Sequence, residues 1–327
     1  QNKEFALLHS RLNIIDLNSQ SNQPFYDNDL VLVFNGEIYN YIELREILKK
    51  KGFKFTTNSD TEVVINSYIA FGENFVKYFN GMWSLAIWDM RKEKLFLSRD
   101  LFGEKPMFYY KNNQGLFFGS EIKFIKELSQ DKFEVNYNRI ANNLGNGYKS
   151  LFKNYETYFK KIYALEPSSN LKIDKNLKIN NSKFWKPKLN IDKNLSLQDC
   201  IEKSKNFLFK SIEKRLRSDV SLSLSLSGGI DSALLASIID KEFGKRIKTF
   251  SIIDDDERYD ESNNIDLIKK DLNHHNVKIK ISKKKLNFFK NMDSIVKYHD
   301  APISTISSYI SNFITKKVSK SKCKVIY

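Results

Sequence analysis

One stretch, residues 220–240, constrains the fold of this 327-residue chain more than any other. Residues 220–226 (VSLSLSL) alternate strictly between apolar and polar, the period of a strand. Ser227-Gly228-Gly229-Ile230-Asp231-Ser232 follows, and residues 233–240 (ALLASIID) then read as a helix. Two glycines between a strand and a helix allow tight turning and close approach to a ligand. Successive N–H groups and the helix N-terminus would point at an anion. Ser227 and Ser232 add hydroxyl donors. A carboxylate beside a phosphate repels it, so Asp231 fits only if it holds Mg²⁺, its expected role. No lysine follows the glycines, so this is not the G-x-x-x-x-G-K-[ST] loop. Attack at an α-phosphate with pyrophosphate leaving is the expected chemistry. Taken in isolation, the same residues would be a β-turn into a capped helix.

The alternation continues downstream. Residues 248–253 (KTFSII) read as a strand, 261–270 as a helix and 277–281 (VKIKI) as a third strand. Strand alternating with helix predicts a parallel, helix-covered sheet. Upstream the pattern differs. Residues 30–34 (LVLVF) read as a strand meeting Asn35-Gly36, a turn signal when read alone. Residues 41–50 have helical spacing, and Ser59 or Asp60 can cap a second helix. Residues 82–88 with 95–97, and 107–110 with 116–119, read as antiparallel pairs. Residues 131–190 are rich in Asn and Lys and show little periodicity; a helix is expected over 196–216. These differences place two domains, at 1–188 and 189–327, with the boundary near 188–195.

Composition excludes several classes. Hydrophobic residues at 41% and aromatics at 13% indicate a globular chain. The charge of +15 comes from lysines spread among asparagines, a solvated composition rather than a nucleic-acid surface. Clusters such as Lys49-Lys50-Lys51 and Lys283-Lys284-Lys285 lack interleaved aromatics. Cys200 and Cys323 have no C-x-x-C partner, and the four histidines are too scattered for a zinc site. No apolar run approaches the ~18 residues of a membrane span. A cytoplasmic protein is expected. The start at Gln1 and the end inside an apolar run lead us to expect a chain truncated at both ends.

Five segments occur in order in the first half: 9–17 (HSRLNIIDL), 34–40 (FNGEIYN), 59–62 (SDTE), 80–89 (NGMWSLAIWD) and 98–106 (SRDLFGEKP). Together they resemble the class-II, N-terminal-nucleophile glutaminase domain of glutamine-hydrolysing asparagine synthetases. The SGGIDS loop resembles the PP-loop of ATP pyrophosphatases, which follows in that family. The resemblance implies an Ntn-type αββα sandwich with antiparallel sheets, then a PP-loop α/β domain with a parallel sheet. It also implies ATP-dependent amidation of a carboxylate, aspartate by default, with glutamine as nitrogen donor. An acyl-adenylate would form, and AMP and pyrophosphate would leave. ATP and Mg²⁺ are the implied cofactors, and the assembly it allows is a homodimer.

The same resemblance assigns residues. Asn35 (side chain) and Gly36 (backbone N–H) would form the oxyanion hole, each such donor contributing ~3 kcal/mol. Arg11 suits the glutamine carboxylate, since a guanidinium can bind it through two parallel bonds. Leu12, Asn13, Ile14 and Ile15 would line that site, and Glu37 and Asp60 suit the α-ammonium. Leu226 and Ile252 would meet adenine through their backbones, while Ser227, Gly228, Gly229, Ile230, Asp231 and Ser232 hold the phosphates. Asp219-Val220 match the family's approach to the loop. Trp83, Trp88, Tyr109, Tyr110, Arg99 and Asp100 are expected to be structural.

The family nucleophile is a cysteine at the mature N-terminus, and no residue here takes that place. Cys200 and Cys323 are expected to be structural, and the chain alone is expected to lack glutaminase activity. Ser168 stands where a glycine usually follows Pro167. Asp300-Ala301-Pro302 lacks the second acid of one family branch, and Ile303-Ser304-Thr305 would lie near the acceptor. Two rivals remain: an ammonia-dependent synthetase or relative amidating another carboxylate, and an inactive fragment or nucleic-acid-linked PP-loop protein.

Overall fold

A computed structural model describes residues 5–147, 155–281, 287–303 and 305–327. Lys283-Lys284-Lys285 and Ser304 lie outside these. The chain forms two compact units, Gln1–Asn190 and Ile191–Tyr327.

In chain order the first unit contains β1 (Phe25–Asp27), β2 (Leu30–Ile38), α1 (Tyr41–Lys50), α2 (Asp60–Phe71), β3 (Gly81–Asp89), β4 (Lys94–Arg99), β5 (Phe108–Lys111), β6 (Leu116–Gly119), α3 (Ile122–Ser129), α4 (Tyr137–Asn146), β7 (Tyr163–Ala164), β8 (Ser169–Ile173) and β9 (Ile179–Lys183). Six strands make one antiparallel sheet in the order β1-β2-β3-β4-β8-β9, and three make a second in the order β6-β5-β7. The period of two along β2 splits its side chains. Leu32, Phe34 and Ile38 pack with Leu44, Leu48, Val64 and Ile65 of α1 and α2. Val33 points the other way and packs with Ala86, Leu97, Met107 and Leu171, against Tyr109 and Phe118 of the second sheet. Ile122 and Ile125 of α3 cover that sheet's far face with Tyr110 and Phe117. The layers are helix, sheet, sheet, helix, as the resemblance implied.

Asn35-Gly36 is not a turn: β2 runs through both residues to Ile38, pairing Asn35 with Ser84 and Gly36 with Trp83. Glycine is needed at 36 because a Cβ would lie 2.1 Å from the Met82 carbonyl oxygen, and at 81 because one would lie 2.2 Å from that of Glu37. The backbones of β2 and β3 meet too closely at this end for side chains. The weakly periodic stretch 131–190 holds α4 and β7 to β9 among its described residues.

Loops are fixed by buried polar groups. Asp100, 1% exposed, accepts four backbone N–H groups: Phe102 and Glu104 on Oδ1, Trp83 and Lys105 on Oδ2. Arg99 donates to the carbonyls of Gly103, Lys105 and Leu165. Both are structural, and between them they fix the 99–105 turn. Ser168 has φ 53°, a left-handed conformation that costs a serine ~1 kcal/mol and a glycine little. Its Oγ donates to the Trp185 carbonyl at 2.9 Å, which offsets the strain.

The second unit contains α5 (Leu197–Arg215), β10 (Leu222–Ser225), α6 (Ile230–Lys241), β11 (Lys248–Asp254), α7 (Ser262–Asp271), β12 (His275–Ile281), α8 (Phe288–His299), α9 (Ile306–Ser319) and β13 (Val325–Ile326). Ser196 and Asp199 close a capping box at the start of α5, which carries the exposed Cys200. The sheet order is β12-β11-β10-β13, with every pairing parallel. Leu224 and Leu226 pack with Ile212, Ala236 and Ile265 on one face, and Phe250 packs with Val318 and Cys323 on the other. Among the described residues no helix is long and apolar enough to cross a membrane.

Asp100→Asn should destabilise the first unit by about 2–4 kcal/mol, because an amide NH₂ would face N–H donors that then lose their acceptor. Urea melts of the two proteins check this.

Candidate active sites

The face of β2 that carries Val33 also carries Asn35 and Glu37, so both side chains point toward the second sheet. Glu37 is 4% exposed, and its Oε1 is buried without a hydrogen-bond partner. Burial, then the negative charge of Asp60, pushes its carboxyl up to about 7, and Lys105 offsets only part of this. Asp60 is also buried, at the first position of α2. Its Oδ2 accepts the Ile38 N–H at 3.0 Å and its Oδ1 the Ser59 hydroxyl at 3.3 Å. Burial still raises it to about 6. Ser59, not Asp60, caps α2, accepting the Thr61 N–H at 3.1 Å. Asp60 is thereby free to reach β2. Two buried carboxylates side by side form a site that a cation would stabilise.

The segment before β1 is stitched to the same place. Phe34, the residue before Asn35, receives His9 Nε2 on its carbonyl at 3.1 Å and gives its N–H to Gln23 Oε1. Gln23 also reaches Thr61 at 3.3 Å. Asp16 accepts the Asn58 N–H, the Ser21 hydroxyl and both N–H types of Asn18. Burial pushes the Asp16 carboxyl up, but these bonds outweigh it and hold it below the usual range. Arg11 spends its terminal nitrogens on the carbonyls of Ile15, Asp16 and Asn18 and on Asn22 Oδ1. It braces this loop. Ile15 is buried, Leu12 is exposed, and Asn13 and Ile14 are half-buried.

Asn35 donates through Nδ2 to Ser120 Oγ at 3.1 Å, a contact across 85 residues that no local signal announces. Gly36, at the β2–β3 close approach, stands beside it in the strand. The site therefore has an amide donor and one carboxylate on one strand, with the second carboxylate, Asp60, reaching in from α2.

In the second unit, β10, β11 and β12 step one way across the sheet and β13 returns to the other side of β10. The loop leaving β10 therefore opens at the carboxyl edge where strand order reverses, the place where open parallel sheets bind ligands. Gly229 is the N-cap of α6 and gives no side-chain cap. The amides of Ile230, Asp231 and Ser232, in the first turn, consequently have no intrahelical acceptor. Ser232 Oγ takes the Ser227 N–H at 3.1 Å and lies 3.0 Å from Ser227 Oγ, which closes the loop on itself. Asp231 is exposed in that first turn.

Gly228 also has a packing reason within the protein. Neither it nor Gly229 has a positive φ, so neither supplies the left-handed turn. At Gly228 an added Cβ would lie 2.9 Å from Glu261 Cβ and 3.0 Å from Asn264 Cβ. The close approach is to α7 and the residue before it, within the protein. Leu226 is held at both ends: its N–H goes to Phe250 O at 2.8 Å and its carbonyl accepts the Ser251 hydroxyl at 2.6 Å. Asn276 bridges Ser251 and Thr249 at 2.8 and 3.0 Å. Ser251 and Asn276 had no sequence signal beyond lying on strands. Ile252 sits on β11, paired with Ile279.

Glu37 gains protons on folding, the reverse of a salt-bridged carboxylate. Its contribution to stability is complete below pH ~4.5 and declines as pH rises toward about 7. Glu37→Gln should therefore be more stable than the parent at pH 8, by about 2 kcal/mol, and should show a shallower decline across that window. Thermal melts from pH 4 to 8 in roughly one-unit steps measure both.

Residues 1–185 match the family described as glutamine amidotransferase domain, and 204–326 match asparagine synthase. Asparagine synthetase [glutamine-hydrolyzing] 1 of Bacillus subtilis is 30% identical over 315 residues, which is 95% of this chain and 48% of that protein. Asparagine synthetase [glutamine-hydrolyzing] 2 of the same organism is 37% identical over 256 residues, 74% of this chain and 33% of that protein. Amidase chry2 of Gibberella zeae is 31% identical over 243 residues, 73% of this chain and 35% of that protein. The chain thus spans about half the length, or less, of these curated relatives. A glutamine amidotransferase domain followed by an asparagine synthase domain makes the chain a member of the glutamine-hydrolysing asparagine synthetase family.

Proposed function

We propose that the protein carrying these two units takes nitrogen from glutamine in the first and amidates an adenylated carboxylate, aspartate by default, in the second. The observation that carries this is the buried, unpartnered Glu37 carboxylate beside Asp60. Such a pair receives the α-ammonium of an amino acid, and Asn35 and Gly36 lie on the same strand to hold the charge that develops on a side-chain amide under attack. Arg11 would meet the α-carboxylate, exchanging carbonyl acceptors for a charged one. Leu12, Asn13, Ile14 and Ile15 form the wall beside it.

In the second unit the uncapped amides of Ile230, Asp231 and Ser232 receive phosphate oxygens, and the fixed backbones of Leu226 and Ile252 meet adenine. Among the described residues no three acidic, His or Cys side chains converge as a metal cage. That fits Mg²⁺, which commonly takes one or two carboxylates and draws its other ligands from phosphate and water. Asp231 would be that carboxylate. Bound there, Mg²⁺ neutralises phosphate charge. Ammonia then displaces AMP from the acyl-adenylate. The same reading places the enzyme in the cytoplasm, with a homodimer as its assembly and no nucleic-acid partner. A second acceptor is favoured by the relative named an amidase and by the single acid of Asp300-Ala301-Pro302, so other carboxylates belong in the assay.

With the complete protein, glutamine, aspartate and MgATP should give glutamate, asparagine, AMP and pyrophosphate in equal amounts. Release of ADP and phosphate instead would overturn the adenylation chemistry. Asn35→Ala should lower glutamine hydrolysis by about 10²–10³-fold while amidation driven by added ammonia continues. The KM for glutamine should fall from pH 5 to 8, because Glu37 and Asp60 must be ionised to bind an ammonium.

A further inference from the structure

We infer that Ser120 is a positioning residue for glutamine hydrolysis, acting through the carboxamide of Asn35. The inference rests on the proposed glutaminase reading and adds to it a residue from a different sheet. Asn35 lies on β2 in the six-stranded sheet, and Ser120 follows β6 in the three-stranded sheet, just before α3. The two are joined by Asn35 Nδ2 donating to Ser120 Oγ at 3.1 Å.

A primary amide presents very different faces depending on its rotation about the last side-chain bond. One orientation offers N–H donors, and the other offers a carbonyl oxygen. For a developing oxyanion the first attracts and the second repels. The two orientations have nearly the same shape, so packing does not choose between them. A hydrogen-bond partner must. Nδ2 carries two N–H groups. Ser120 accepts one, which fixes the amino group on the Ser120 side and leaves the second N–H for the reacting amide oxygen. The serine comes from the opposite sheet, so it also sets how far the carboxamide stands off β2. Ser120 itself need not touch substrate.

The test uses the complete protein, with kcat and the glutamine KM measured separately for Ser120→Ala, Asn35→Ala and the double variant. A positioning role predicts a fall in kcat of about tenfold for Ser120→Ala, less than the loss of the donor itself, with KM within about twofold of the parent. Ser120→Thr, which keeps the hydroxyl, should restore kcat to within about threefold of the parent. Because Ser120 acts only through Asn35, adding Ser120→Ala to Asn35→Ala should cost nothing further. If Ser120→Ala does not fold, Ser120→Cys carries the same test, since sulfur is a weak acceptor of similar size. An unchanged kcat, a rise in KM alone, or the same fold-loss in the Asn35→Ala background would each overturn the inference. A parent protein that forms no glutamate from glutamine would overturn the glutaminase reading itself, and this inference with it.

Discussion

Pairing of β2 with β3, register Leu30↔Asp89 through Ile38↔Gly81, decides where chemistry can happen in the first unit. It keeps β2 straight through Asn35, Gly36 and Glu37 and so presents two of those side chains to the gap between the sheets. It also lets Asp60 reach the Ile38 N–H from the neighbouring helix. Even the bracing loops answer to this strand. Asp100 takes the Trp83 N–H from β3, and His9 and Gln23 clasp Phe34 from either side.

The candidate sites of the two units rest on opposite defects. In the first, acceptors are buried without donors: Glu37 Oε1 has no partner and its charge is suppressed until a cation arrives. In the second, donors lack acceptors: the first-turn amides of α6 have a glycine where a capping side chain would stand. A buried carboxylate pair selects for positive charge and an uncapped helix start for negative charge. The amino acid and nucleoside triphosphate of the proposed function carry charges of those two signs.

Much of this was legible because period and punctuation agree. The alternation in 220–226 and the spacing in 41–50 gave a strand and a helix where β10 and α1 stand, although β10 itself is shorter, Leu222–Ser225. Ser59 announced a helix start through its capping chemistry, and the helical run from Ser196 was legible without its capping box. What escaped was non-local. An Asn-Gly pair is a turn unless another backbone approaches it, and the Met82 carbonyl does so from a strand that begins 45 residues after it. Ser120 looks like any serine after a hairpin. The helix α9 carries many Ser, Thr and Ile residues of modest helix propensity, and its packing face, Ile314 and Val318 against Phe250 and Ile279, exists only once the sheet has formed. Ser168 is the reverse case: the departure from glycine was visible, and the left-handed backbone explains why glycine suits the position.

Gly228 has a mechanical meaning apart from any ligand. With the β-carbons of Glu261 and Asn264 only 2.9 and 3.0 Å from where its own would be, inside van der Waals contact, the loop and the start of α7 interlock like a tooth and its slot. Such a loop cannot swing as an independent flap. A side chain at 228 would push the loop and the start of α7 apart, so the glycine is a packing requirement of the fold whether or not a ligand is bound.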